Sequence, residues 1–355
     1  MDNSITRFNW IDSFKGIAIL GIVVIHAGGA NLSGVAGKFG SAGHFGVQIF
    51  FMISAFLVWN SLDNHRISYP EWIKKRLKRL MPSYYLAYFV ALIVTFFMGI
   101  RYSFLDILVH VLGIWGLFPQ YNNTILAEWF LGALLIFTFV APLVYRIVNN
   151  LEKSVVFFLC CIVITYISMI IMRSIWKNSL DDYNIGAYIG NTSVWHQLPT
   201  LSLGIVLYYI IKHIDSYRNN KTIDLKYRFT LSCALFVISL MLLLGEIIGK
   251  NYLVGFDPYV RFTIGSIILA TSQHIHPSVV VVNRFFALFG RYSYPIYLYH
   301  YTIIKIINKI YTEGVKMLFI KVIAGIFIPL IFVLLCDKMI MTVNMLEKSV
   351  DEKKY

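Results

Sequence analysis

Lys15 and His26 stand in the stretch "FNWIDSFKGIAILGIVVIHAGG", residues 8–29. On an α-helix the eleven steps between them, at 100° each, come within about 20° of three full turns, so both side chains share one face. Asp12, three residues before Lys15, falls on the same stripe. The helical rise separates Lys15 from His26 by about 16 Å. In a membrane span this puts Lys15 at the cytoplasmic edge and His26 near mid-membrane. An ionisable group at that depth is costly and usually faces the bundle interior or a watery cavity. Histidine suits chemistry there: with an ordinary pKa of about 6.5 it can take a proton from a hydroxyl at neutral pH, or carry an acyl group as a nucleophile. The plainer readings are a helix-to-helix hydrogen bond for His26 and a snorkelling anchor for Lys15.

Four further groups could do chemistry. In "PEWIKKRLKRLMPSYY", Arg76 and Arg79 lie three apart and share a face of a predicted short interfacial helix ending at Pro82. With Lys74, Lys75 and Lys78 they form the densest positive cluster of the chain. Two guanidinium forks suit a phosphate, whereas the plainer reading is a topology determinant touching anionic lipid. In "GHFGVQIFFMISAFLVW", Phe50 and Ser54 stand one turn apart, and a small hydroxyl there is ordinarily packing glue. "ILAEWFLGALLIF" sets Glu128 and Trp129 at the outer end of a span; Trp129 fits an aromatic belt, while Glu128 requires a partner. "FGRYSYPIYLYHYTII" surrounds His300 with tyrosines whose default role is interfacial anchoring. His110, His196 and Glu246 are further polar residues without a usable pattern. The sequence has no HExxH, no phosphate-binding glycine loop, no metal-ligand spacing and no nucleophile elbow, so no metal site is expected.

The elements that must position these residues are set by composition. Hydrophobic residues make up 58% of the 355 and charged residues 14%, with a mean hydropathy of +0.69. Such a chain lacks the polar surface of a soluble globule and reads as a polytopic membrane protein. The first apolar run could be mistaken for a signal peptide, but its polar residues are too well placed for that. Four cysteines, with Cys160 and Cys161 adjacent, show neither disulfide nor zinc spacing. The net charge of +13 lies in short loops between apolar runs, as the positive-inside rule expects, which excludes nucleic acid as the partner.

Eleven apolar runs lie near 14–31, 43–62, 81–100, 104–118, 125–146, 154–173, 194–211, 229–249, 259–273, 285–307 and 316–341. If all eleven cross, the basic loops cannot share one side. The conflict falls on 104–118, the shortest run, which holds Asp106 and His110; a re-entrant or interfacial segment there removes it. The expectation is therefore an all-α bundle of about ten transmembrane helices over 8–342, with both termini and a tail, 343–355, in the cytoplasm. Basic residues such as Lys74, Lys75, Arg146, Lys153, Lys212, Arg284 and Arg291 fall inside. Lys38, Arg101 and Lys250 fall outside, and Lys305, Lys309, Lys316 and Lys321 crowd the last outer loop. The glycine-rich segment "SGVAGKFGSAGHFG" reads as a mobile outer loop, and no internal repeat of the transporter kind is visible.

Lysine, ten residues, then histidine; RxxR; "GHFGVQIFFMISAFL"; "EWFL"; and "GRYSYPIYLYH" together resemble the acyltransferase 3 family of bacterial integral-membrane acyltransferases, over nearly the whole chain. The resemblance implies transfer of an acyl group, usually acetyl from acetyl-CoA, to a sugar hydroxyl of an envelope polysaccharide or lipid-linked oligosaccharide, across the bacterial cytoplasmic membrane. Acetyl-CoA is then a substrate, and no bound cofactor is implied. By motif, His26 matches the essential histidine, Lys15 a basic position, and Arg76 and Arg79 the RxxR pair. Ser54 matches the second-helix motif and Trp129 the mid-chain motif. Lys15, Arg76 and Arg79 are expected to bind the donor and His26 to act in transfer. Glu128 is expected to orient His26, provided that its helix packs beside the first, with Asp12, Ser54, Trp129 and His300 in support.

The sequence departs from the family pattern at three positions: Ala55 replaces a frequent glycine, Gln48 a frequent acid, and Thr302 a common proline. No extracytoplasmic domain follows the last run, which by analogy points to an O-antigen or lipid-linked acceptor. Two other classes remain open on the residues alone. One is a transporter or flippase with His26 as proton relay, and the other is a structural subunit of a polysaccharide synthase.

Overall fold

The computed structural model describes residues 9–65, 68–118, 121, 128–176, 192–220, 224–249, 253, 256–310 and 315–352. Among these every regular element is helical: α1 (Asn9–His26), α2 (Gly34–Ser41), α3 (Gly46–Asn64), α4 (Tyr69–Phe97), α5 (Phe104–Val111), α6 (Trp129–Ile147), α7 (Leu151–Trp176), α8 (Val194–Asn220), α9 (Leu225–Ile248), α10 (Pro258–Ile275), α11 (Arg284–Arg291), α12 (Ser293–Ile310) and α13 (Val315–Glu352). By length and composition seven helical segments can cross a membrane. They contain α3, α4, α6, α7, α8, α9 and α13. Three more helices, α1, α10 and α12, each have 18 residues, about 27 Å of helix, and carry several polar groups among their apolar residues.

The polar helices can sit in such a protein because other helices, rather than lipid, surround them. α1 packs against α3, α11, α12 and α13, with Phe14, Ala18, Ile19, Ile22 and Val23 all buried. α7 shows the opposite case: only 6% of its most apolar window is buried, against 83% for α8. Its Val156, Leu159, Val163, Ile167 and Ile170 form an apolar surface that the rest of the chain leaves exposed. Apolarity thus marks the outside of the bundle, and polar side chains mark the helices nearest its centre.

Several sequence expectations are corrected. The basic helix does not end at Pro82. A capping box of Ser68 and Glu71 starts α4, which runs unbroken through Pro82 to Phe97. Buried Met81, Tyr84 and Tyr88 around the proline outweigh the one backbone bond it removes. The run at 285–307 is not one span but divides at Tyr292 into α11 and α12. α11 lies along the N-terminal half of α1, because Gly16 and Gly290 let the backbones touch. A Cβ on Gly16 would strike the Phe286 carbonyl, and one on Gly290 the Asp12 carbonyl.

The glycine-rich segment is not a loop but α2 followed by a 3-10 turn, Ala42–Phe45. There Gly43 packs on the Gly21 backbone. The segment 104–118 forms the eight-residue α5 and a 3-10 turn, Trp115–Leu117; at about 12 Å, α5 cannot cross a membrane. Two lysines assigned to the crowded outer loop point elsewhere: Lys305 lies 4.6 Å over the Tyr301 ring, and Lys321 is buried in α13. α13 itself runs to Glu352. Lys250 lies outside the described residues.

Candidate active site

Helices α1 and α12 bring His26 and His300 together, 274 positions apart in sequence, with Nδ1 of His26 2.7 Å from Nε2 of His300. The ring centroids are 5.0 Å apart and the planes differ by 15°. An imidazole nitrogen sits roughly 1.2 Å from its ring centre, so these two distances place both nitrogens close to the centroid-to-centroid line, as in a linear hydrogen bond rather than a stack. His300 is fully buried. Its Nδ1 lies 2.7 Å from the Tyr297 carbonyl and 3.1 Å from that of Ile296. His26 is only partly buried, with Tyr301 edge-on at 5.4 Å.

From the pair toward the N-terminal end of α1 lies a cavity of about 620 Å³. Asp12 and Lys15 of α1, Ser54 of α3, Arg76 and Arg79 of α4, and Arg291 of α11 line it. Along α3 it extends from Phe50 to His65, about 22 Å of helix. Four permanent cations face a single carboxylate there. Asp12 contacts both Lys15, at 3.6 Å, and Arg291, at 3.8 Å. Arg76 lies over the Trp72 ring at 4.3 Å, which holds the guanidinium in place while leaving its N–H groups available. Among the described residues, neither Arg76 nor Arg79 meets a carboxylate. Tyr297 lines the cavity, and its ring centre is 5.9 Å from that of His300. One aromatic residue thus touches both the cation-lined space and the histidine pair.

Five of the nine residues expected from sequence, Asp12, Lys15, Ser54, Arg76 and Arg79, line this cavity, and His26 and His300 form the pair above it. Glu128 and Trp129 sit apart, at the start of α6. Trp129 packs on Phe51 of α3 at 5.9 Å. The Glu128 carboxylate meets Nε2 of His110 at 2.8 Å, with both side chains fully buried, and among the described residues it makes no bond to His26. Arg291 and Tyr297 were not singled out from sequence. The signal for Arg291 is its position beside Gly290, where α11 ends against Asp12. That for Tyr297 is its place three residues, one helical turn, before His300.

The family model described as an acyltransferase domain (acyltransferase 3) matches residues 8–337. Among curated proteins, the chain is 24% identical over 333 residues to the O-acetyltransferase OatA of Staphylococcus aureus strain NCTC 8325, covering 86% of this chain and 52% of the relative. It is 23% identical over 327 residues to a putative O-acetyltransferase of S. aureus strain COL, again covering 86% and 52%. The chain therefore spans about half the length of the curated relatives it matches. No solved structure matches it. With the motif residues gathered around one cavity and the family model matched along almost the whole length, the chain belongs to the acyltransferase 3 family.

Proposed function

We propose that this multi-pass membrane protein transfers an acetyl group from acetyl-CoA, bound at the cytoplasmic face, to a hydroxyl of an envelope polysaccharide or its lipid-linked precursor. The carrying observation is a cavity with four cations and one carboxylate that is joined, through Tyr297, to a histidine pair of which His26 is the partly exposed member. An adenine nucleotide with a 3′-phosphate and a pyrophosphate is the kind of multiply charged anion that Arg76, Arg79, Lys15 and Arg291 would hold. Its long neutral arm would then carry the thioester past Tyr297 toward His26. The distance of about 16 Å from Lys15 to His26 matches a donor bound by its phosphates at one end and reacting at the other.

In the reaction, Nε2 of His26 takes the proton of the acceptor hydroxyl as its oxygen attacks the thioester carbonyl carbon. The tetrahedral intermediate collapses with cleavage of the C–S bond. The leaving sulfur receives the proton from His26, which returns to its starting state. No net proton is consumed. The relatives named as O-acetyltransferases support a hydroxyl as acceptor. The N-terminus of α1 and the cation-lined cavity lie on the cytoplasmic side in this reading, in the bacterial cytoplasmic membrane.

The test uses membranes from cells with and without the protein, supplied with acetyl-CoA labelled in the acetyl group. The proposal requires label in glycan, released by mild alkali as an ester would be. Label that stays in acetyl-CoA, or that crosses the membrane without becoming covalently attached, contradicts it.

A further inference from the structure

We infer that His300 is a positioning residue that fixes the tautomer of His26, so that His26 carries its proton on Nδ1 and presents a bare Nε2 to the reacting hydroxyl. The inference rests on the acyl-transfer reading only for its kinetic consequence; the tautomer itself follows from hydrogen-bond chemistry.

A backbone carbonyl can only accept. The Nδ1 of His300, shared between the carbonyls of Tyr297 and Ile296 at 2.7 and 3.1 Å, must therefore carry a proton. These two carbonyls belong to the preceding turn of α12, so the backbone of the helix sets this protonation. If His300 is neutral, its Nε2 has a lone pair and no proton. The 2.7 Å contact with Nδ1 of His26 then has only one consistent donor, the His26 N–H. A neutral imidazole has a single N–H, so Nε2 of His26 is left as a base.

The other assignment would need His300 to be doubly protonated and to donate to His26. An imidazolium that is fully buried needs a counter-charge. The rings that face His300 are His26, Tyr297 and Tyr301, and among the described residues no carboxylate contacts it. The nearest charge seen through these contacts is the Lys305 ammonium over Tyr301, which has the wrong sign. His300 itself cannot serve as the base, because both its nitrogens are engaged and its ring is out of reach of a ligand. His26 makes no further hydrogen bond among the described residues, which leaves its second nitrogen for the substrate.

Two measurements on the full chain in lipid nanodiscs test this. The first is the 15N spectrum of histidine-labelled protein at neutral pH, with His26 assigned as the signals lost in His26→Gln. Nδ1 is expected in the protonated range and Nε2 in the bare range; the opposite assignment overturns the inference whatever the enzyme does. The second compares His300→Leu, which fills the space without an acceptor, with His300→Gln, whose amide oxygen can reach the position of Nε2. His300→Leu should lower kcat roughly 100-fold, in line with losses of orienting partners elsewhere, with the KM for acetyl-CoA unchanged. His300→Gln should recover most of that. Equal kcat for the two variants, or a change confined to KM, contradicts a tautomer role. Should both variants misfold, the wild-type spectrum still decides. Full transfer by His26→Gln would sink the acyl-transfer role of His26 while leaving the tautomer result standing.

Discussion

Two histidines in this molecule use the same local device to opposite ends. In His110, as in His300, Nδ1 points at a carbonyl of its own preceding turn, that of Asp106 at 2.6 Å. The Nε2 of His110, however, is taken by the Glu128 carboxylate. The His110 ring is also layered between Tyr88, 5.4 Å away and 11° off parallel, and Trp115, 5.5 Å away and 9° off parallel. The ring is fully buried, and the pair ties the non-spanning α5 to the start of α6. His300 instead spends its Nε2 on a second histidine, and that histidine is accessible. A buried titratable pair is therefore not by itself a reaction centre. The two differ in where the chain of hydrogen bonds ends: on a fully enclosed carboxylate for His110, and on a second, partly exposed histidine for His300.

The largest expected break in this comparison comes at His26. His26→Ala should reduce kcat by about 1000-fold, the order expected for loss of a general base, without lowering the yield of folded protein in the membrane. Next come the cavity cations. Arg76→Gln with Arg79→Gln should raise the KM for acetyl-CoA by about a hundredfold, because each guanidinium would make charge-assisted bonds worth at least about 1.5 kcal/mol, while kcat shifts little. An unchanged KM would mean that these arginines only set topology.

Glu128 sharpens the contrast from the other side. Glu128→Ala should cost about 3 kcal/mol of stability, read as a lower melting temperature, since it removes the buried carboxylate that Nε2 of His110 meets. Glu128→Gln should cost much less, because the amide N–H can donate to the bare Nε2 of a neutral His110. A Glu128→Ala protein as stable as wild type but inactive would return Glu128 to the reaction. The smallest effect is expected at Arg291, which is 67% exposed. Arg291→Gln should raise the KM for acetyl-CoA about threefold, because an exposed cation is screened by water and salt.

Much of the site was legible in sequence because it is local or periodic. The Lys15–His26 stripe follows from helical geometry alone, and RxxR and "GRYSYPIYLYH" marked two of the other walls. What was not legible depends on contacts between distant segments. His300 meets His26 across 274 positions, and Glu128 finds His110 rather than His26 because α5 folds back beside α6. The split of 285–307 at Tyr292 was hidden because α11 is apolar on one side like a span. Its two glycine contacts with α1, which lay it along that helix, are visible only in three dimensions. Pro82 misled for a related reason: packing around the proline, not local propensity, keeps α4 continuous.

The central claim is that donor binding and acyl transfer occupy two stacked places, the cation-lined cavity and the accessible nitrogen of His26. The most direct test measures acetyl-CoA binding and acetyl transfer on the same preparation of His26→Ala in lipid nanodiscs. The account predicts binding with a Kd equal to that of the wild type and no detectable transfer to glycan. Transfer at the wild-type rate, or loss of acetyl-CoA binding together with transfer, would contradict it.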